Sequence, residues 1–267
     1  MSYETIIYEK EDEIGIITLN RPQAMNAMSM QMLDEIRDAL TDAEKDDAMR
    51  VAIITGAPRP DGRPCFSAGL DMKERESQPK RATGSEMQTL FRKFEDLAKG
   101  EGPVEMSNLN RLNNQIEDMT KPTIAAIDGI CTTGALSTTY ACDLRIASET
   151  AQIVDFHLTR LHALGGGGIR RLPRLVGAAK AKEIWWTGEA IDGKEAWRIG
   201  LVNRVTPPDK LLEEAKSLAK KIAEVPAIAI AASKSLANIS VEVGNRQALR
   251  YQDLCTAFLR AMAASGD

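Results

Sequence analysis

The sequence predicts an α/β protein, in which strand–helix modules build a core and a helical region closes the chain. Three observations carry that prediction. Short apolar runs such as Val51-Ala52-Ile53-Ile54-Thr55-Gly56 recur, the pattern of strands covered on both faces. Between them, apolar residues return at helical spacing with Asp and Glu opposite. From Pro208 onward the pattern is strongly helical, and strand–helix alternation followed by such a region defines an α/β core with a helical appendage.

Taken in order, Ile14-Gly15-Ile16-Ile17-Thr18-Leu19 reads as a strand, and Asn20-Arg21-Pro22 stops it. A helix follows from Ser29, with Met32, Leu33, Ile36 and Leu40 on its inner face. The run Val51–Gly56 is the next strand, and a Pro/Gly-rich loop leads from Ala57 to Pro64. The charged stretch from Lys73 to Thr120 reads as two helical pieces, split near Gly100-Glu101-Gly102-Pro103. Thr123–Ile127 returns as a strand that Asp128-Gly129 ends, and a helix runs from Gly134-Ala135 to Ala141. Leu144–Ala147 is a further strand. Helices are then expected over Ala178–Trp186, Lys194–Ile199, Leu211–Val225 and Ala227–Leu236.

Composition narrows the function. The chain has 267 residues, with 34 Lys plus Arg against 38 Asp plus Glu and a formal charge of −4. That balance gives no global basic field for nucleic acid or an anionic membrane. At 43% hydrophobic and 27% charged residues, the chain builds a core instead of remaining disordered. Cys65, Cys131, Cys142 and Cys255 are scattered without a CxxC pair, which gives neither a zinc ribbon nor a disulfide framework. His157 and His162 are the only histidines, so no metal site is expected. The opening MSYETIIYEKEDE is unlike a signal or transit peptide. No apolar run approaches the roughly 20 residues of a membrane helix, and the expected localisation is cytoplasmic.

Three segments invite chemistry. In Phe66-Ser67-Ala68-Gly69-Leu70-Asp71, small residues after a strand permit close backbone approach and free N–H groups, or simply a tight turn capped by Asp71. In Asp128 to Ser137, Gly134 sits where a loop becomes a helix, so its N–H lies at the positive end of a helix dipole. Two such N–H groups facing one oxygen make an oxyanion hole; a plain helix start is the other reading. The run Gly165-Gly166-Gly167-Gly168 fits neither GxxxxGK[ST] nor GxGxxG, and close backbone packing accounts for it better than a nucleotide.

The ordered segments resemble the crotonase superfamily, the enoyl-CoA hydratase/isomerase family. The matching motifs are Leu19-Asn20-Arg21-Pro22-Gln23-Ala24-Met25-Asn26-Ala27, the Phe66–Asp71 segment, Pro122–Gly129, Ala141–Ala147, Arg171–Gly177, and Thr187 to Val205. They cover nearly the whole chain. The resemblance implies a repeated ββα spiral core over residues 1–206 and a helical C-terminal trimerisation region over residues 207–267. It implies an acyl-CoA thioester as substrate, with coenzyme A arriving in the substrate and no separate cofactor, and a homotrimer or dimer of trimers. The N–H groups of Leu70 and Gly134 would polarise the thioester carbonyl. Ala24, Ala68, Gly69, Asp71 and Lys73 would contact coenzyme A, Lys73 through a phosphate.

The departures from the family pattern lie at the acid/base positions. The family's hydratases use two glutamates; here the residue three after Gly134 is Ser137, and the second position falls on Phe156-His157. A carboxylate that some isomerases carry eight residues further on is replaced by Gly165. A lysine frequent at Gln23 is also missing, and many members continue beyond the position of Asp267 into a last helix. The stretch from Leu70 to Gly134 is longer than in compact members and is expected to extend the acyl-pocket wall. Histidine serves as acid or base near neutral pH, and Asp155, two residues before His157, would face the same side of an extended segment. An Asp155–His157 pair, with Ser137 positioning water or substrate, therefore stands in for the glutamates. The alternative is a core histidine with one satisfied hydrogen bond. His162 and Tyr140 are lesser candidates. Ordinary hydration is doubtful on this reading. A hydrolase or C–C bond-cleaving enzyme, or a non-catalytic acyl-CoA-binding protein, are the alternatives.

Overall fold

The apolar runs pair into two sheets that share every turn of the chain. The computed structural model describes residues 3–76, 107–160 and 165–265. β1 (Ile6–Glu11) and β2 (Ile14–Leu19) form an antiparallel hairpin. The chain then runs through α1 (Met30–Lys45), β3 (Val51–Gly56), β4 (Cys65–Ser67), α2 (Met72–Glu76) and α3 (Asn108–Asp118). It continues through β5 (Thr123–Ile127), β6 (Ile130–Thr132), α4 (Gly134–Ala141), β7 (Leu144–Ser148), β8 (Gln152–Val154) and α5 (Gly168–Val176). α6 (Ala178–Thr187), β9 (Ile191–Asp192), α7 (Gly193–Arg198) and β10 (Arg204–Thr206) complete the core. The larger sheet has the order β1-β2-β3-β5-β7-β10 and the smaller one β4-β6-β8-β9.

Those two orders make a spiral. Each of β3–β4, β5–β6 and β7–β8 places one strand in the large sheet and the next in the small one, and a helix follows before the next turn. Because β3, β5 and β7 pair parallel, as do β4, β6 and β8, successive turns stack, and the loops after the small-sheet strands fall on one side.

The large sheet is covered twice. Ile14, Ile16, Val51, Ile53, Ile124, Ala126 and Ile146 pack with Leu211, Ala215 and Ala219 of α8 (Leu211–Ala223). The alternate residues Ile17, Leu19, Ala52, Ile54, Ala125, Ile127 and Ala147 face the main core with α1, α3 and α4. Two-sided burial explains why these strands read as continuous apolar runs instead of alternating ones. Ser29 caps α1, its side chain accepting from Met32 N at 3.1 Å, at the start predicted from sequence.

Several elements lie outside what the pattern shows. β1 carries one buried residue, Ile6, followed by exposed Ile7, half-buried Tyr8 and exposed charged residues, so it has no apolar period to read. β6, β8, β9 and β10 are two or three residues long. α5 contains Pro173, a residue that sequence rules place outside helices because it removes a donor. The break expected near Gly100–Pro103 lies outside the described residues. Beyond α8, α9 (Ala227–Ser240) and α10 (Asn245–Ser265) follow. Lys234 pins α9 to the core, donating to Asp143 Oδ2 at 2.8 Å and to the carbonyls of Ile116 and Lys121.

Candidate active site

Asn26 organises the first wall of the site. It is fully buried, and its amide nitrogen reaches the carbonyls of Ala57, Cys65 and Phe66, at 2.8, 3.0 and 3.2 Å. Its Oδ1 accepts from Arg21 N at 3.0 Å. One side chain thus ties the turn after β2 to the entry and body of β4. Substituting Asn26 with Ala leaves those buried carbonyls without a donor. We expect a loss of about 2–3 kcal/mol in chemical denaturation, and an unchanged midpoint would show the amide to be dispensable.

The segment after β4 is held just as closely. Ser67 Oγ donates to Asn26 O at 2.7 Å and accepts from Gly69 N at 3.1 Å. Gly69 adopts φ +90°, and a Cβ there would meet Thr133 Oγ1 at 2.2 Å, so only glycine lets the two loops touch. Asp71 accepts from Arg21 Nη1 at 2.9 Å and from the backbone N–H groups of Lys73 and Glu74. Burial pushes the Asp71 carboxyl up, but donation by Arg21 and these N–H groups outweighs it and holds it below the usual range. It is both the expected cap and a tether to the first loop.

The second wall is the start of α4. Thr133 sits at φ +44°, ψ −109°, a conformation costly for a β-branched residue and kept only where the surroundings enforce it. It turns the chain so that Gly134 opens a helix in which every residue is buried. A Cβ on Gly134 would lie 3.3 Å from Leu70 N and 3.1 Å from Leu70 Cγ, so the two predicted N–H groups are neighbours across the gap between the loops. Neither N–H has an acceptor among the described residues. Two close, unclaimed N–H donors, one at a helix N-terminus, suit an oxygen that gains negative charge.

These walls meet in a cavity of about 490 Å³ whose lining includes Ala68, Leu70, Asp71, Gly134, Phe156 and His157. Met30, Leu109, Thr132, Thr133 and Gly165-Gly166 complete much of the surface. His157 is 7% exposed and Asp155 2%. Asp155 Oδ1 accepts from His157 N at 3.0 Å and lies 2.7 Å from His157 Nδ1. The pair predicted from sequence is therefore formed, but through a turn, not through an extended strand. Nδ1 is engaged by the carboxylate, which leaves Nε2 as the nitrogen available to a ligand.

The structure does not bring every candidate to the cavity. Ser137 is buried, its Oγ donating to Gly165 O at 3.2 Å, and it is not part of the lining. The glycine run presses onto it: a Cβ on Gly166 would meet Ser137 Cβ at 2.7 Å, and one on Gly168 would meet its Oγ at 2.8 Å. Backbone packing, as expected, accounts for those glycines. Gly69 acts from behind, Ala24 lies in a short helical turn (Pro22–Ala24), and Lys73 is exposed. Tyr140 is buried with its hydroxyl unpartnered among the described residues, and burial raises its pKa far above the usual value. His162 lies outside the described residues. Arg171 and Arg170 pair with Glu117, and Arg170 also with Glu242, all within the chain. Arg160, which lines the cavity one turn beyond His157, carries no motif that marks it in the sequence, and the strain at Thr133 is visible only in the backbone geometry.

A ββα spiral that sets two free backbone N–H groups beside a helix start defines a crotonase-type protein. The chain belongs to the enoyl-CoA hydratase/isomerase family, whose family model matches residues 9–259. It is 36% identical to the crotonyl-CoA hydratase of Syntrophomonas wolfei, over 94% of this chain and 88% of the relative. It is 33% identical, with the same coverage, to the short-chain-enoyl-CoA hydratase of Clostridium acetobutylicum. Among solved structures, the enoyl-CoA hydratase of Bacillus anthracis superposes with a TM-score of 0.81 at 30% identity, covering 95% of this chain and 90% of that one. The α/β crotonase fold expected from the motifs is the fold observed.

Proposed function

We propose that this protein is an acyl-CoA-transforming enzyme in which Leu70 and Gly134 stabilise a thioester enolate and His157 is the acid/base. The observation that carries the reading is the single cavity lined by Leu70, Gly134 and His157. A thioester oxygen placed between the two N–H groups gathers charge as a proton leaves the neighbouring carbon. Nε2 of His157 takes that proton, the electron pair passes to the carbonyl oxygen, and Asp155 steadies the resulting imidazolium. Coenzyme A enters as part of the substrate and needs no further cofactor; Ala68 and Asp71 on the cavity wall, with Ala24, Gly69 and Lys73 nearby in the chain, are its proposed contacts.

Both family glutamates are replaced, by Ser137 and His157. A dyad with one exchangeable nitrogen does not present the second carboxylate that directs water in hydration. Weak hydration is therefore expected, with hydrolysis or C–C bond cleavage at the Asp155–His157 pair as the second reading. An acyl-CoA panel followed by mass spectrometry separates the outcomes: hydration adds water, isomerisation leaves the mass unchanged and hydrolysis frees coenzyme A. Crotonyl-CoA hydration by the wild type at about 10–10³ s⁻¹ would contradict the reading, and tight binding without turnover of any thioester would make it a binding protein.

Assembly through the C-terminal helices belongs to the same proposal, with residues 207–267 as the oligomerisation region of a homotrimer or dimer of trimers and residues 1–206 as the binding core. Leu254 and Phe258 on α10 are 68% and 47% exposed, and such apolar surface favours a partner copy. The proposed compartment is the cytoplasm. Among the described residues no single helix is long and apolar enough to cross a membrane.

A further inference from the structure

The turn that carries His157 also carries a cation for which the proposed chemistry has no use. After Asp155 caps the turn, Arg160 N donates to Phe156 O at 3.1 Å, which brings residues 156 and 160 to one side as in a helix. The Arg160 guanidinium lies 4.2 Å from the centroid of the Phe156 ring, a cation–π arrangement that fixes a long, otherwise mobile side chain. Phe156, His157 and Arg160 all line the cavity.

Charge bookkeeping within that cavity singles Arg160 out. The carboxylate of Asp71 is ion-paired with Arg21, and that of Asp155 is hydrogen-bonded to the His157 imidazole. Arg160 has no carboxylate partner among the described residues. At the positions where the family's glutamates would stand there is a buried hydroxyl and an imidazole. Arg160 is therefore a cation on the cavity lining, where two carboxylates at the glutamate positions would have repelled an anion.

We propose that Arg160 is a specificity residue that receives a carboxylate on the acyl group, so that the preferred substrates are dicarboxylic acyl thioesters. The proposal rests on the acyl-CoA reading above and names the substrate class of that site. A planar guanidinium held over a ring presents a fork that fits a carboxylate with two parallel hydrogen bonds. Its place three residues after His157, on the same turn and in the same cavity lining, is why the anion is assigned to the acyl group. Coenzyme A also carries anions, but its phosphates are separated from the sulfur by the whole pantetheine arm, which puts them away from the acid/base.

The test compares two saturated thioesters that differ at the chain end, glutaryl-CoA and pentanoyl-CoA, by isothermal titration calorimetry on the full chain. Neither offers a double bond to hydrate, so affinity is read apart from hydration, and free coenzyme A after the titration would reveal any hydrolysis. Because Arg160 is exposed, the wild type should prefer glutaryl-CoA by about fivefold, the upper end of what an exposed charge pair contributes. Arg160→Met should abolish the preference by weakening glutaryl-CoA alone, and Arg160→Lys should keep part of it. Equal affinities in the wild type, or a preference that survives in R160M, overturn the proposal. Equal weakening of both ligands in R160M also overturns it, by assigning Arg160 to the coenzyme A phosphates. If neither thioester binds the folded wild type, the acyl-CoA reading itself fails.

Discussion

His157→Ala should lower kcat on the productive acyl-CoA by about 10²-fold or more, with a much smaller change in KM. The geometry asks for this split. His157 lines the cavity while its Nδ1 is engaged by Asp155, so Nε2 is the nitrogen left for the proposed proton transfer. A group used mainly in the transition state lowers kcat and kcat/KM together when removed. The backbone N–H of residue 157 would still reach Asp155 in the H157A variant, so the turn keeps one of its two ties and the fold should survive, as thermal melting would confirm. Asp155→Asn keeps an acceptor for that N–H but removes the charge that steadies the imidazolium; it should reduce kcat without a matching loss of melting temperature. A full rate in H157A would return His157 to a packing role.

Gly134→Ala should cost about 10²–10³-fold in kcat, the range seen when an oxyanion-hole donor is lost. The backbone at Gly134 is helical, so alanine fits it locally and even favours the helix. The added methyl, however, would lie 3.3 Å from Leu70 N and 3.1 Å from Leu70 Cγ, on the approach to the donor pair. Activity should therefore fall while the melting temperature stays nearly constant. Gly69→Ala makes the contrasting case: φ +90° and a 2.2 Å clash with Thr133 Oγ1 predict loss of stability together with activity. Full turnover by a folded G134A variant would show that the oxygen does not sit between Leu70 and Gly134.

Some of this architecture was legible because burial on two faces leaves a local trace. β2, β3, β5 and β7 are covered by α8 on one side and the main core on the other, and their apolar runs announce that without any tertiary information. The Ser29 cap and the helical start at Gly134 depend on neighbours a few residues away and were equally readable. β6, β8 and β10 are too short for periodicity; pairing partners distant in the chain create them. α5 holds Pro173 because the surrounding packing, with Arg171 and Leu172 buried, outweighs a missing N–H.

At the site the division is sharper. Motif order made Leu70, Gly134 and His157 candidates, and their two-residue and three-residue surroundings added Asp155 and Ser137. Only the folded chain decides between those two. Asp155 reaches the imidazole through a turn that the spacing did not foretell, while the pressure of Gly166 and Gly168 turns Ser137 toward a backbone carbonyl.

The sequence by itself determined the fold class and the loop and helix start that bear the two N–H groups. Those are properties of residue identity and short-range pattern. The tertiary structure decided that the two N–H groups are neighbours, that His157 and Arg160 share their cavity, and that Ser137 does not. The reason is geometric: strand pairing in two sheets brings together residues far apart in the chain, and whether a side chain faces the cavity or the core depends on the packing behind it.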